Sequence, residues 1–323
     1  MINLIEGIMR KIEKILSIIF ISLAIFSCNE KEITSSVHIK KLDNYPSASA
    51  IECYDGKLYL MGDDATNLLI LDTNLNIIDS VSFFSYPDKR IPKNIKPDLE
   101  ASALYYDSSD TLIFLFGSGS LPPRNSAWSY NFKTKIKASF SLLPLYSQIK
   151  QEGIEQLNIE GACFVQDKLI LVNRGNKGYP ENHLIITDEK FWNKDSIFKI
   201  FIIPFALQKD TTSFKGISGL SYSKLNDQLI MTVSTEDTRS VHEDGAIGKS
   251  YLWVINNISN KLNSKSINAD KVIDLEKIDS RFKGQKIESA TVISESSELI
   301  HLALVADNDD GSSTVFKMSI ERN

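Results

Sequence analysis

From about residue 36 onward, short apolar runs alternate with short runs of turn-forming polar residues. The apolar runs are of strand length and rich in β-branched and aromatic residues, and turn clusters such as Tyr54-Asp55-Gly56 introduce them. This pattern predicts β-strands joined by tight turns. The clearest runs, interpreted as the second strands of a repeated unit, are residues 57–61, 112–116, 169–172, 229–233 and 299–304.

A four-residue phrase precedes each of these runs and opens the first strand of each unit. Its copies are Asp98-Leu99-Glu100-Ala101, Asn158-Ile159-Glu160-Gly161, Gly216-Ile217-Ser218-Gly219 and Lys286-Ile287-Glu288-Ser289, with a degenerate copy at Ser47-Ala48-Ser49-Ala50. The copies lie about 50–70 residues apart, a period that is typical of four-stranded units arranged as the blades of a β-propeller.

Third and fourth strands complete the unit. Third strands are predicted at 67–71, 126–132, 183–187, 250–256 and 313–318, and fourth strands at 77–84, 136–143, 198–205 and 271–275. The last unit lacks a fourth strand, which residues 36–42 are predicted to supply. We therefore predict an all-β fold, a propeller of five four-stranded blades closed by the N-terminal strand joining the last blade. Six blades are the alternative if the insertion before Lys286 contains a degenerate blade. Separately, one or two helical turns are predicted within 145–157.

The first 27 residues have the pattern of a secretory signal. A basic segment ending at Lys14 precedes an apolar run from 15 to 26, which is short for a membrane span of about 20 apolar residues. Cys28 follows this run as in a lipobox, although Phe26 stands where a small residue is usual. We predict a lipoprotein signal peptide (1–27), a tether (28–35) and one propeller domain (36–323), exported and lipid-anchored at Cys28 to a bacterial membrane, periplasmic or surface-facing. Ordinary signal-peptidase cleavage or a plain membrane anchor are the alternatives.

Composition narrows the class of partner. Of the 323 residues, 42% are hydrophobic and 24% are charged, and the formal net charge is −5. These values are typical of a globular protein with a substantial core. Because no dense Lys/Arg run offsets the negative charge, we predict no nucleic-acid partner and no membrane contact beyond the lipid. We also predict a monomer. Cys53 and Cys163 fall in strands of units that are not neighbours, and we predict small buried side chains rather than a disulfide.

Candidate site residues follow from hairpin geometry. The start of the first strand and the end of the second lie at the same end of an antiparallel hairpin, so the phrase and the polar clusters after the second strands should gather around the mouth of the central channel. The phrase supplies Glu100, Glu160 and Glu288, with Ser218 in the fourth unit and Ala48 in the first. The clusters supply Asp63, Asp64, Glu236, Asp237, Asp307 and Asp309, and Arg124 and Arg174 follow in the same loops. Units without a phrase acid carry an acidic cluster, which is the pattern of a shared ring of carboxylates.

Carboxylates gathered at one mouth repel each other unless positive charge lies among them. A hard cation such as Ca²⁺, which takes about six to eight oxygen ligands, would use Glu100, Glu160, Glu288 and Asp307. The alternative is internal neutralisation by Arg124, Arg174 and Arg239, in which the polar residues close the blade tops without a ligand.

Other kinds of site find little support. The phrase around Ser218 is not Gly-x-Ser-x-Gly, so a nucleophile elbow is not indicated. The 4 histidines occur singly, without the spacing of a zinc site. Residues 307–311 place their glycine wrongly for an EF-hand.

Several of these elements resemble a family of uncharacterised bacterial β-propeller lipoproteins, which is distantly similar to phytase-like (esterase-like) propellers. The matching elements are Pro97-Asp98-Leu99-Glu100-Ala101, Gly117-Ser118-Gly119-Ser120, Leu157-Asn158-Ile159-Glu160-Gly161, Asn173-Arg174-Gly175-Asn176, Glu236-Asp237-Thr238 and Asp307-Asn308-Asp309. The resemblance implies a propeller and, through the phytase-like enzymes, calcium ions held by acids for the hydrolysis of phosphate esters. This chain lacks the dense acidic and Lys/Arg pattern expected for phytate.

Together these observations predict an exported, lipid-anchored propeller that binds a small ligand or protein partner at its channel mouth, with Ca²⁺ as the candidate cofactor. Arg124 and Arg174 would contact an anionic group, and the acids would hold a cation or sugar hydroxyls. The alternatives are a metal-dependent hydrolase of phosphate or carboxyl esters and a scaffold with an inert mouth. Whether the chain is an enzyme stays open.

Overall fold

The computed structural model describes residues 36–107, 110–192, 197–206, 214–236 and 247–322, without the side chains of residues 236 and 247. The predicted signal peptide, Cys28 and the tether therefore lie outside the described residues, as do Asp237, Arg239 and the side chain of Glu236.

The described strands form five antiparallel sheets of four strands each, named blades 1 to 5 in chain order. The chain enters through β1 (His38–Leu42). Blade 1 contains β2 (Ala48–Tyr54), β3 (Lys57–Gly62), β4 (Asn67–Asp72) and β5 (Ile77–Ser82). Blade 2 contains β6 (Leu99–Tyr106), β7 (Thr111–Gly117), β8 (Ser126–Asn131) and β9 (Lys137–Ser141).

The remaining blades repeat this order. Blade 3 contains β10 (Ile159–Val165), β11 (Lys168–Asn173), β12 (His183–Asp188) and β13 (Phe201–Pro204). Blade 4 contains β14 (Lys215–Ser223), β15 (Gln228–Glu236), β16 (Ile247–Asn256) and β17 (Lys271–Asp274). Blade 5 contains β18 (Lys286–Glu295), β19 (Leu299–Asp307), β20 (Ser313–Glu321) and β1.

The ring closes where the two ends of the propeller domain meet. β1 pairs antiparallel with β20, from His38 opposite Lys317 to Leu42 opposite Ser313. The first strands of neighbouring blades contact one another around the whole circle, including β18 with β2. The predicted all-β propeller of five blades, closed by the N-terminal strand, is therefore confirmed.

The core lies between the blades. In β3, Leu58 and Leu60 pack toward blade 5, whereas Tyr59 and Met61 pack toward blade 2. Successive side chains of a strand point to opposite faces, and both faces of each blade are covered by a neighbour. This is why the second strands are continuous apolar runs instead of alternating apolar and polar residues.

Short helices occupy some connections. The helix α1 (Leu143–Gln151) joins blades 2 and 3, as predicted for this region, and α2 (Leu275–Ile278) follows β17. Turns of 3₁₀ helix lie at Pro122–Arg124, Ile258–Asn260 and Ser280–Phe282. Within the described ranges no helix is long and apolar enough to cross a membrane. Cys53 and Cys163 are both free.

Candidate functional site

Each copy of the phrase contains a β-bulge at its third residue. Where β6 pairs with β7, Leu99 opposes Gly117 and Ala101 opposes Phe116, so Glu100 has no opposite residue. The same interruption falls at the equivalent residue of the other four first strands, namely Ser49, Glu160, Ser218 and Glu288. A bulge changes the direction of its side chain relative to the regular ladder. The bulges thus give one equivalent residue at the same end of each inner strand.

The register corrects one detail of the predicted ring. In the first unit the bulge residue is Ser49, whereas comparison of the repeats within the chain predicts Ala48 at this position. Ala48 lies opposite Gly62 in the ladder and is completely buried. In the degenerate copy Ser49 has an alanine on each side, so the sequence alone does not reveal which residue forms the bulge.

The phrase and the polar clusters do lie at the same ends of their hairpins. Leu99 opposes Gly117 directly before Ser118, Ile159 opposes Asn173 directly before Arg174, and Lys286 opposes Asp307. In blade 1, Asp63 follows Gly62, which opposes Ala48. The structure therefore places the predicted acids and arginines for which it gives side chains at the mouth end of the hairpins.

The mouth of blade 2 is the most crowded with charge. Lys96 forms ion pairs with Asp63 from blade 1 and with Asp98, whose Oδ1 lies 2.7 Å from the lysine Nζ. Arg124 donates to the other oxygen of Asp98 at 2.7 Å, and Ser118 donates to it at 2.5 Å. Arg124 is only 4% exposed. The guanidinium of Arg124 therefore takes part in neutralising the acids of the mouth, which is the alternative considered above. It is buried in this pairing, whereas the prediction had it contacting an anionic ligand.

Glu100 is the unpaired acid of this group. Ligand oxygens of Asp63, Asp98 and Glu100 all lie within 4.8 Å of one another. Asp63 and Asp98 contact Lys96, but Glu100 has no hydrogen bond or ion pair among the described residues. Burial raises the pKa of Glu100 well above the ordinary range, the nearby carboxylates raise it further, and Lys96 opposes them. Burial likewise raises the pKa of Asp63 to about 6.

The phrase acids of blades 3 and 5 are paired within their own phrase. Asn158 donates from Nδ2 to Glu160 Oε1 at 2.6 Å, and Arg174 Nη1 lies 3.6 Å from the other oxygen. Lys286 Nζ lies 2.9 Å from Glu288 Oε1. In both cases the donor is two residues before the acid, on the same strand or its entry. In blade 2 that position holds Asp98, which cannot donate to Glu100 when both are ionised.

The two blades with serine in the phrase use the hydroxyl to bind backbone. Ser218 donates to the carbonyl oxygen of Ile287 in blade 5 at 2.7 Å. Ser49 donates to the carbonyl oxygen of Ser47 at 2.8 Å. Neither serine carries a charge, so the mouth is not a uniform ring of acids.

The remaining predicted acids have different surroundings. Asp64 is buried and accepts a 2.7 Å hydrogen bond from Arg90. Asp307 accepts from the backbone N–H of Asp309, which is exposed. Burial, together with Glu288 and Asp309, raises the pKa of Asp307 to about 7, because that backbone bond only partly offsets them. Among the described residues, the three-carboxylate group is Asp63, Asp98 and Glu100, and it shares only Glu100 with the calcium set predicted from the sequence.

Sequence reasoning missed the positive groups that neutralise the mouth. Lys96 and Arg90 come from the proline-containing loop between blades 1 and 2, and their partners Asp63 and Asp64 lie far away in the sequence. Lys286 had a local signal, because the residues two positions before Glu160 and Glu288 are both hydrogen-bond donors. The same spacing distinguishes Glu100 from Glu160 and Glu288, because the residue two positions before Glu100 is the acid Asp98.

The chain belongs to a family of unknown function, DUF6929, whose sequence pattern matches residues 44–320. No match was found among curated proteins. Similar solved structures include a glutaminyl cyclase from Myxococcus xanthus (10% identity, 90% of this chain and 98% of that chain, TM-score 0.47). They also include an arabinanase from Bacillus subtilis (10%, 88% and 96%, 0.46) and virginiamycin B lyase from Staphylococcus aureus (9%, 87% and 99%, 0.38). At these values the likenesses carry no argument about this chain's activity.

Proposed function

Since the family brings no assigned activity, we propose from the mouth itself that this chain binds a small cationic ligand there, with Ca²⁺ as the simplest occupant. The observation that carries the proposal is the carboxyl group of Glu100, which has no partner among the described residues although it lies beside Asp63 and Asp98. The equivalent residues of blades 3 to 5, Glu160, Ser218 and Glu288, have hydrogen-bond or ion-pair partners and support the fold.

Charge balance favours a cation at this position. Lys96 and Arg124 supply two positive charges against the two aspartates they contact, which leaves Glu100 uncompensated. Without a ligand, burial and the neighbouring carboxylates raise the pKa of Glu100, which favours the form that holds a proton. A cation that binds there takes the place of that proton, so binding releases it to solvent.

The spacing also suits calcium. Calcium–oxygen distances of about 2.3–2.6 Å allow two ligand oxygens on opposite sides of the ion to lie roughly 5 Å apart. The carboxylate oxygens of the three acids lie within 4.8 Å of one another, so one ion can reach all three. Water would complete the coordination on the open side of the mouth.

The test is binding of Ca²⁺ to the purified protein by calorimetry in two buffers of different ionisation enthalpy. We expect binding with release of protons, and a melting temperature that rises with Ca²⁺ because the ion binds only the folded state. Glu100→Gln should abolish both effects. Glu298→Gln is the matched control, because Glu298 is exposed before β19, at the opposite end of its hairpin. Binding that survives in Glu100→Gln, or an unchanged melting temperature, would contradict the proposal.

The proposed location is a bacterial membrane, with export directed by residues 1–27, a tether at 28–35 and a lipid on Cys28. The support is the sequence pattern of a basic segment, an apolar run and a cysteine. Expression of the full chain in a bacterium followed by membrane fractionation tests it. Cys28→Ser should move the protein to the soluble fraction, and equal membrane retention of both forms would contradict lipidation.

A second candidate function, hydrolysis of phosphate or carboxyl esters at the same mouth, is favoured by one observation. A buried carboxyl group whose pKa is raised above its ordinary range can act as a general acid or base, and burial raises the pKa of Glu100 in this way. The candidate predicts turnover of p-nitrophenyl phosphate or acetate that needs the added metal and is lost in Glu100→Gln. No turnover of either ester would remove it without affecting the binding proposal.

A further inference from the structure

Blade 3 has a cleft at its mouth end that is separate from the carboxylate group of blade 2. The cleft has a volume of about 330 Å³ and lies between two segments of chain. One wall is the segment after α1, with Glu155 and Gln156, and the other is the loop between β11 and β12, with Tyr179 and Glu181. Clefts that hold small molecules have volumes of about 300–1,000 Å³, so this one has room for one or two small rings.

The loop wall is held in place before any ligand arrives. Asn176 Oδ1 accepts hydrogen bonds from the backbone N–H groups of Gly178 and Tyr179 at 2.8 and 3.1 Å. Asn182 Oδ1 accepts from Gly175 at 3.1 Å. A Cβ on Gly175 would lie 2.6 Å from carbonyl oxygens of both Tyr179 and Glu181, so the tight return of the loop requires glycine there. A preorganised loop reduces the entropy that ligand binding must overcome.

Several polar groups of the lining have no partner within the described part of the chain. They are the carboxylate of Glu155, the Nε2 amide of Gln156 and the hydroxyl of Tyr179, and Tyr179 is 46% exposed. By contrast, the amide groups of Asn176 and Asn182 are used to hold the loop and its neighbours. The cleft therefore offers an acceptor, a donor and an aromatic ring with a hydroxyl, all near one another.

The charge of the lining argues against an anionic ligand. Arg174 is the cation of the lining, and its guanidinium is engaged by Glu160 and by Ser234 Oγ at 3.1 Å. Burial lowers the pKa of His183, so its ring is neutral at pH 7. Glu155 and Glu181 then leave the cleft with negative charge. A phosphate or carboxylate would be repelled, whereas hydroxyl groups, which both donate and accept, match the free groups.

We propose that this cleft is a saccharide-binding site in which Tyr179 stacks against one sugar ring while Gln156 and Glu155 bind its hydroxyls. The site is separate from the cation site of blade 2 and does not depend on it. Arg174 of the lining also pairs with Glu160, and it is not needed to contact the sugar.

Saturation-transfer NMR and calorimetry on the purified protein test the proposal. The probes are glucose, galactose, arabinose and N-acetylglucosamine, with maltose, lactose and chitobiose as their two-ring counterparts. We expect at least one of these sugars to bind with saturation transfer to its ring protons. Tyr179→Ala should weaken that binding about tenfold or more, equivalent to about 1.4 kcal/mol. Gln156→Ala should weaken it about threefold to tenfold, as expected for one hydrogen bond.

Three controls make the outcome decisive. Tyr179→Phe keeps the stacking ring and should retain most of the binding, which separates stacking from misfolding. Tyr106→Ala removes an exposed tyrosine at the far end of β6 and should bind like the parent protein. Glu100→Gln should also bind sugar normally, so failure of the cation site is distinguishable from failure of the cleft. Binding of no sugar, equal losses in Tyr106→Ala and Tyr179→Ala, or a preference for tetramethylammonium or inorganic phosphate would overturn the proposal.

Discussion

The mouths of blade 2 and blade 3 are built from the same phrase and the same β-bulge, yet they treat the phrase acid in opposite ways. Asn158 donates to Glu160 at 2.6 Å, whereas the equivalent residue before Glu100 is Asp98. One residue therefore decides whether the acid of the bulge is satisfied by its own strand or left among other carboxylates. Blade 5 follows the arrangement of blade 3, with Lys286 as the donor.

This difference suggests how a repeated unit acquires a specialised site. The bulge is common to all five blades, and it places one equivalent residue at the mouth end of each first strand. A hydrogen-bond donor beside this position stabilises the ionised carboxylate, and without a donor the ionised form is disfavoured. Blade 2 has no such donor for Glu100. Lys96 reduces the repulsion among the carboxylates by pairing with Asp63 and Asp98.

Of the substitutions considered for the mouth, removal of Lys96 from blade 2 should cause the largest loss in the free energy of unfolding. Its side chain is 10% exposed, and it lies between the buried carboxylate of Asp98 and the half-buried carboxylate of Asp63. Lys96→Met leaves those charges unbalanced, so we expect a loss of about 3–5 kcal/mol in the free energy of unfolding. Urea denaturation at pH 7 measures it, with Lys41→Ala, half-exposed in its ion pairs, as a control that should cost less than about 1 kcal/mol. Equal losses in the two variants would contradict the role of Lys96.

Asn158→Asp should convert blade 3 to the arrangement of blade 2. The new carboxylate cannot donate to Glu160 and repels it, so we expect a loss of about 1–3 kcal/mol at pH 7, the cost of an unpaired buried polar group. The loss should shrink at pH 5, where one of the two acids can hold a proton. Asn158→Ala removes the hydrogen bond without adding charge, and its loss should be the same at both pH values. A pH-independent loss in Asn158→Asp would contradict the comparison.

The comparison also separates what the sequence could predict from what it could not. Blade number, strand positions and ring closure follow from local patterns, because apolar runs and turns are properties of neighbouring residues. The mouth was located for the same reason. The pairing of Lys96 with Asp63 joins distant positions in a loop without periodicity, and the bulge at Ser49 depends on a register that the letters leave open. Those details required the folded arrangement.

Neutralising the phrase acids should change stability in opposite directions in blades 5 and 2. Glu288→Gln removes the carboxylate charge that lies 2.9 Å from Lys286 Nζ, and we expect a loss of about 1–2 kcal/mol at pH 7. Glu100→Gln removes a carboxyl that resists ionisation, and we expect a gain of roughly 1 kcal/mol at pH 7 and above. Thermal denaturation of both variants beside the parent protein measures the signs. A loss in both would contradict the distinction between the two blades.

The sign of the Glu100 effect can be checked by pH. An acid whose pKa is higher in the folded than in the unfolded state stabilises the fold fully only below the unfolded value, and that contribution is lost as pH rises through the folded value. Glu100, Asp63 at about 6 and Asp307 at about 7 all behave in this way. The parent protein should therefore lose stability from about pH 4 to pH 7, and the curve of Glu100→Gln should be flatter. A parent curve that rises over this range would contradict the assignment.

The smallest effect is expected where the phrase carries no charge. Ser218 donates to the carbonyl oxygen of Ile287 at 2.7 Å and so joins blade 4 to blade 5. Ser218→Ala removes this neutral hydrogen bond and the 3.1 Å contact with the hydroxyl of Thr232, and we expect a loss of about 1 kcal/mol in urea denaturation. Since a hydroxyl does not titrate in this range, the loss should be the same at pH 5 and pH 7, unlike that of Asn158→Asp. A pH-dependent loss would mean that Ser218 is coupled to the acids of the mouth, and the division between charged and uncharged blades would fail.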